Sequence, residues 1–161
     1  ELSDGTVRQL TSAVETRETE VETETGETDE NGEPIYETTT ETEEITLWSL
    51  DGQPLPEGAV GLEDWLYDLS TLYLDSCSAF KADQEELSAC GMDGASLLTV
   101  SLTSGETFTL AIGGQTEDGS YVYAALEAPA PGCDLFLISA DKARTLSDLN
   151  YESLSADEEA E

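Results

Sequence analysis

The stretch LLTVSLTSGETFTLAIG, residues 97–113, decides the fold. Leu98, Val100 and Leu102 alternate with small polar residues before the Ser104-Gly105-Glu106 turn, and Phe108, Leu110 and Ile112 alternate after it. A period of two puts one set of side chains on one face of an extended strand, so the segment predicts an antiparallel hairpin with one apolar face. Gly113-Gly114 reads as a tight turn, since it lacks the helix start and lysine of a phosphate loop. EDGS at residues 117–120 gives a further turn. Tyr121–Leu126 then forms a third strand, and Asp134–Ile138 a fourth after the loop APAPG.

Upstream, Leu62, Trp65, Leu66, Leu69, Leu72 and Tyr73 fall at helical spacing and predict one amphipathic helix. A short strand over 76–80 follows. Asp83 with Glu86 three residues on has the form of a capping box for a two-turn helix ending at Gly91, with Leu87 and Cys90 on its buried side. Ser139 is placed to cap a closing helix with Ala143, Leu146 and Leu149 on one face. The expected class is α+β: an antiparallel meander with two or three helices packed on one face.

The N-terminal third differs. Residues 1–44 hold fifteen acids, eleven threonines and two arginines, Arg8 and Arg17, and cannot build a core. Over 15–24 and 37–43 Thr tends to alternate with Glu, a strand period. Between them GETDENGEP carries the turn pair Asn31-Gly32. Two readings stand: a long acidic two-stranded β-ribbon, or a disordered acidic loop, since an isolated hairpin with two polar faces is marginal in water. Residues 45–49 then read as a short strand broken by DGQPLPEG, residues 51–58. The organisation expected is one α+β domain over 1–154, with 15–44 as a ribbon or loop insertion and 155–161 as a disordered acidic tail.

The chain has 161 residues, 37 acids, 5 basic residues and no histidine. A net charge of −32 repels phosphate backbones and anionic headgroups, which disfavours nucleic acid and direct membrane binding and favours divalent cations or a basic protein surface. The lack of histidine removes Ser-His-Asp and Cys-His catalysis and histidine-ligated metals. Cys77, Cys90 and Cys133 have no close spacing and read as buried free thiols or as one Cys77–Cys90 bridge.

Calcium is the metal the acids suit. Its weak candidates are Asp29, Glu30, Asn31 and Glu33 in TDENGE and Glu117 with Asp118 in TEDG, neither with EF-hand spacing and both ordinary turn sequences. A carboxylate-dependent hydrolase would need two acids in a pocket, and Asp64 and Asp68 beside Trp65 more simply form the solvent face of their helix. Trp48, Trp65, Tyr67 and Tyr73 beside spaced leucines read as core, with Tyr67 off the apolar face.

The sequence ELSACGMDGAS, the stretch LTVSLTSGETFTLAIGGQTEDGSYVYAAL and LFLISADKARTLSDLNYESL, with AVGLEDWLYDLSTL upstream, resemble a bacterial domain-of-unknown-function family numbered 4340, over about residues 45–154. The resemblance implies a membrane-anchored or lipoprotein-type extracytoplasmic domain, some relatives serving gliding or transporter accessory roles, with an anchor lying outside this chain. It carries no catalytic residues, and the Thr/Glu segment 15–44 departs from it. The function it suggests is a non-catalytic interaction or scaffold module with a protein or cell-surface partner. The alternatives are a calcium-stabilised adhesive module or, last, a carboxylate-dependent hydrolase.

Overall fold

The computed structural model describes residues 6–28, 32 and 34–156. The chain divides into two compact units, Leu10–Glu57 and the remainder.

In the first unit, strand β1 (Leu10–Thr28) runs antiparallel to β2 (Pro34–Leu50). The short strand expected at 45–49 is the far end of β2, because the pairing continues unbroken from Tyr36 to Leu50. Its breaker is a second hairpin turn. Asp51 and Gly52 both have positive φ, 52° and 80°, as a two-residue type I′ loop requires, and they return the chain into β3 (Gln53–Pro54).

In the second unit, β5 (Ser96–Ser101), β6 (Thr107–Gln115), β7 (Tyr121–Ala125) and β8 (Leu135–Ser139) form an antiparallel meander, and β4 (Ser76–Ala79) pairs with the outer edge of β8. The class is α+β. The alternation in β5 and β6 sorts two cores. Leu98, Leu110, Ile112, Ala124 and Ile138 share one face with Ala143 of α3 (Ala140–Ser147). Leu97, Ala111, Ala125 and Leu135 share the other with Leu87 of α2 (Gln84–Ala89) and Met92. The helices therefore serve both faces, where one was expected: small residues, Ala111 and Ala125, stand in register and leave room for α2 on the second face. Burial is confined to the part of β6 beside β7, so Leu110 and Ile112 are buried while Phe108 and Leu102 nearer the turn are exposed.

Gly113 and Gly114 lie inside β6 and not in a turn. The pairing with β7 shifts between Ile112 and Gln115, and the bulge brings this backbone against Cys90 and Gly91 at the end of α2. Side chains there would collide, which is why glycines occupy the strand.

Helix α1 (Val60–Ser70) stops before Leu72 and Tyr73. The hydroxyls of Ser70 and Thr71 donate to Tyr67 O at 2.9 and 2.8 Å and terminate it. Leu72 packs on the sheet and Tyr73 is exposed. Asp83 and Glu86 do form the capping box, each side chain accepting from the other's amide at 2.9 Å. Ser139 sits at the start of α3 without a side-chain cap bond. Leu149 falls beyond that helix, and a further helix α4 (Tyr151–Leu154), capped by Asn150, buries Leu154 instead. All three cysteines are free: Cys133 is buried and Cys90 half-buried, whereas Cys77 is exposed on edge strand β4, contrary to the expectation of burial.

Candidate functional site

The β1–β2 register arranges the acids. Glu18, Glu20, Glu22 and Glu24 alternate with Thr or Val on β1 and so share one face, successive carboxylates standing about 6.8 Å apart along the strand. Glu37, Glu41 and Glu43 of β2 line the other face. Among the described pairs no glutamate lies opposite another. Glu18, Glu20 and Glu22 face Thr42, Thr40 and Thr38; Glu37, Glu41 and Glu44 face Thr23, Thr19 and Thr16; Glu15, Glu24 and Glu43 face Ile45, Tyr36 and Arg17. Like charges directly across a strand pair destabilise it; threonine, a good strand former, stands opposite six of these nine glutamates, and Ile45, Tyr36 and Arg17 opposite the other three.

One cation offsets this charge at the base. Arg17 donates to Glu57 through both terminal nitrogens, at 2.7 and 3.4 Å, and stands 3.6 Å from Glu43. The hydrogen bond to Glu57 and its charge hold the guanidinium pKa above its ordinary value. Among the described residues no ion pair engages Glu18, Glu20, Glu22 or Glu24.

The other candidates are placed as follows. Asp29, Glu30, Asn31 and Glu33 lie outside the described residues. Glu117 and Asp118 lie in the β6–β7 connection. There Asp118 Oδ1 accepts from Thr116 Oγ1 at 2.6 Å and from the Ser120 amide at 3.1 Å, bonds that hold its carboxyl below the ordinary range, the Thr116 bond most. Thr116 in turn donates from its amide to Tyr121 O at 2.9 Å, so this carboxylate is engaged in closing its own turn. Among the described residues no three Cys, Asp or Glu side chains come together as a metal-holding group.

Asp64 is exposed, while Asp68 is part-buried and 3.5 Å from Lys142 Nζ. Lys142 also donates to Thr71 Oγ1 at 2.6 Å and Thr71 O at 3.3 Å, and lies 5.9 Å above the exposed Tyr67 ring. A cation at the carbonyl end of α1 fits the sign of the helix dipole. The cluster ties α3 to α1 and pairs Asp68 with a cation. No local signal displays it, since Lys142 and Asp68 are 74 positions apart by their numbers. No protein-family model, curated protein or solved structure matches this chain.

Proposed function

We propose that this chain is a non-catalytic interaction or scaffold module of a bacterial membrane-anchored, extracytoplasmic protein, and that its β1–β2 pair engages a basic protein surface. The observation that carries the reading is the register: the nine glutamates of the paired positions 10–24 and 36–50 are accommodated without a single acid-to-acid rung, and the carboxylates from Glu18 to Glu24 have no cation beside them among the described residues. Such a row raises the rate of encounter with a positively charged partner and disfavours other acidic chains. The extracytoplasmic placement rests on the family resemblance over residues 45–154.

The test is a titration with a synthetic peptide alternating Lys and Thr, followed by fluorescence anisotropy. Binding is expected at low salt, lost at high salt, and weakened about tenfold or more when Glu18, Glu20, Glu22 and Glu24 are all changed to Gln, as the loss of four weak exposed charge pairs implies. Equal binding by the quadruple variant, or no binding by the parent chain, overturns the reading.

A further inference from the structure

The β5–β6 hairpin runs on past the rest of its sheet. β7 pairs with β6 only from Ala111 to Gln115, so the outer part of the hairpin, up to the Ser104-Gly105 turn, is two strands alone. Alternation sorts its faces. On one, Thr99 stands opposite Thr109 and Ser101 opposite Thr107, their hydroxyl oxygens 3.4 and 3.5 Å apart. On the other, Val100 stands opposite Phe108, and Leu102 follows two positions on, its amide donating to Glu106 O at 2.8 Å. Leu102 is 44% exposed and Phe108 58%, with Val100 half-buried beside them. Single exposed apolar side chains are ordinary, but these three adjoin one another and continue the row of Leu98 and Leu110 out of the core.

The inner part of this face is covered by a helix, since Ala143 of α3 packs with Leu98, Leu110 and Ile112. A second helix laid beside α3 would extend the same layer over Val100, Leu102 and Phe108. Charge decides what kind of helix. Glu106 lies two positions from Phe108 on the same face, about 6.8 Å further along the strand. Its Oε2 accepts from the Ser104 hydroxyl at 3.0 Å, and among the described residues no ion pair engages it. Residues 94–105 and 107–116 hold no other charge. A second copy would set a net charge of −32 against the same charge and offer Glu106 few cations, and an anionic lipid surface would be repelled in the same way. A cation one turn beyond an apolar stripe, about 5.4 Å along a helix, comes within reach of this carboxylate when the stripe lies on Phe108.

We infer that the outer β5–β6 hairpin docks a basic amphipathic helix of a partner protein, its apolar stripe on Val100, Leu102 and Phe108 and a Lys or Arg about one turn further on against Glu106. The inference rests on this chain being an interaction module, and it uses residues separate from the glutamate row of β1 and β2.

The test is fluorescence anisotropy with a labelled helix-forming peptide that carries leucines on one side and lysines on the other, beside a peptide of the same composition with the leucines dispersed. High salt screens the lysines from the acidic chain, so the stripe is read there. Saturable binding of the striped peptide is expected at high salt, at least tenfold weaker for the dispersed peptide and for Leu102→Ser with Phe108→Ser, two exposed positions. Glu106→Gln is expected to weaken binding a few-fold at low salt alone, as befits one exposed charge pair. Changing Glu18, Glu20, Glu22 and Glu24 to Gln is expected to leave the high-salt binding unaltered, which separates this surface from the β1–β2 row. Where the double variant fails to fold, amide shifts in the ¹⁵N-labelled parent decide, and they are expected to centre on residues 98–110. Absence of binding at high salt, equal binding of the two peptides, an unaffected double variant, or shifts centred elsewhere overturns the inference. The same shifts on raising the protein concentration without peptide would assign the face to a second copy and overturn it too.

Discussion

The Gly114 amide donates to the Cys90 carbonyl oxygen at 2.8 Å, joining the end of α2 to the bulged segment of β6. A Cβ on Gly114 would stand 3.0 Å from that oxygen, and one on Gly113 2.9 Å from it. Gly91, at φ +69°, approaches from the other side, its own Cβ position 2.8 Å from Gly114 N. A Cβ on Gly113 would also meet the Met92 sulfur, a side-chain atom, but the other neighbours are backbone and cannot rotate away.

Gly113→Ala is therefore expected to destabilise. Overpacking costs about 1–3 kcal/mol, against about 0.4–1 kcal/mol gained from a stiffer unfolded chain, for a net loss of about 1–2 kcal/mol in urea unfolding. Gly94→Ala, with nothing within 4 Å of the added carbon, is the control and is expected to lie within about 0.5 kcal/mol of the parent.

Asp118 gives a pH signature. Its folded-state pKa lies below the ordinary value of 3.8, so its contribution is fully present above that value and disappears as pH falls through the lower, folded-state value. Asp118→Asn keeps an acceptor and removes the charge. The parent is expected to melt higher than the variant at neutral pH, and the gap to close on acidification below 3.8; a gap constant with pH would contradict the linkage.

The three thiols are expected to react in order of exposure. Burial, and then the Glu86 charge, push the Cys90 thiol up, which lowers its thiolate fraction at any working pH. A disulfide reagent at mildly alkaline pH is expected to label Cys77 first, Cys90 about tenfold or more slowly, and Cys133 only on unfolding. Equal rates for Cys77 and Cys90, measured by peptide mass, would contradict this.

Threonine opposite glutamate is open to direct perturbation. Thr38→Glu with Thr40→Glu places new acids across from Glu22 and Glu20. Each like-charge rung is expected to cost up to about 1 kcal/mol, so amide exchange in β1 and β2 is expected to quicken at low salt and to recover in part at high salt. A salt-independent effect would point to lost threonine packing instead.

Much of the second unit was legible because its signals are local. The hairpin around Ser104-Gly105 follows from alternation, and α2 from Asp83 and Glu86 three residues apart. The errors arose where distant groups decide. Gly113-Gly114 has the composition of a turn, and only the approach of Cys90 makes it strand. The apolar period carries α1 on to Tyr73, yet the hydroxyls of Ser70 and Thr71 end it. The pocket that Trp65 lines with Arg144 and Leu154 draws on segments about eighty positions apart, so no window of sequence displays it. The Glu/Thr alternation was visible, but which threonine faces which glutamate depends on a pairing that alternation alone leaves open.

That pairing has one more property. In the observed alignment the numbers of facing residues sum to 60. Sliding one strand by a single position one way brings Glu18, Glu20 and Glu24 against Glu43, Glu41 and Glu37; sliding it the other way brings Glu15, Glu18 and Glu22 against Glu44, Glu41 and Glu37. A two-position slide sets Glu18 against Glu44 or Glu15 against Glu43. Repetitive polar strands are prone to such slippage, because no buried face pins them. Here repulsion does the pinning: the charge that denies these strands a core also penalises the misalignments on either side, and the pair is specified by what it avoids.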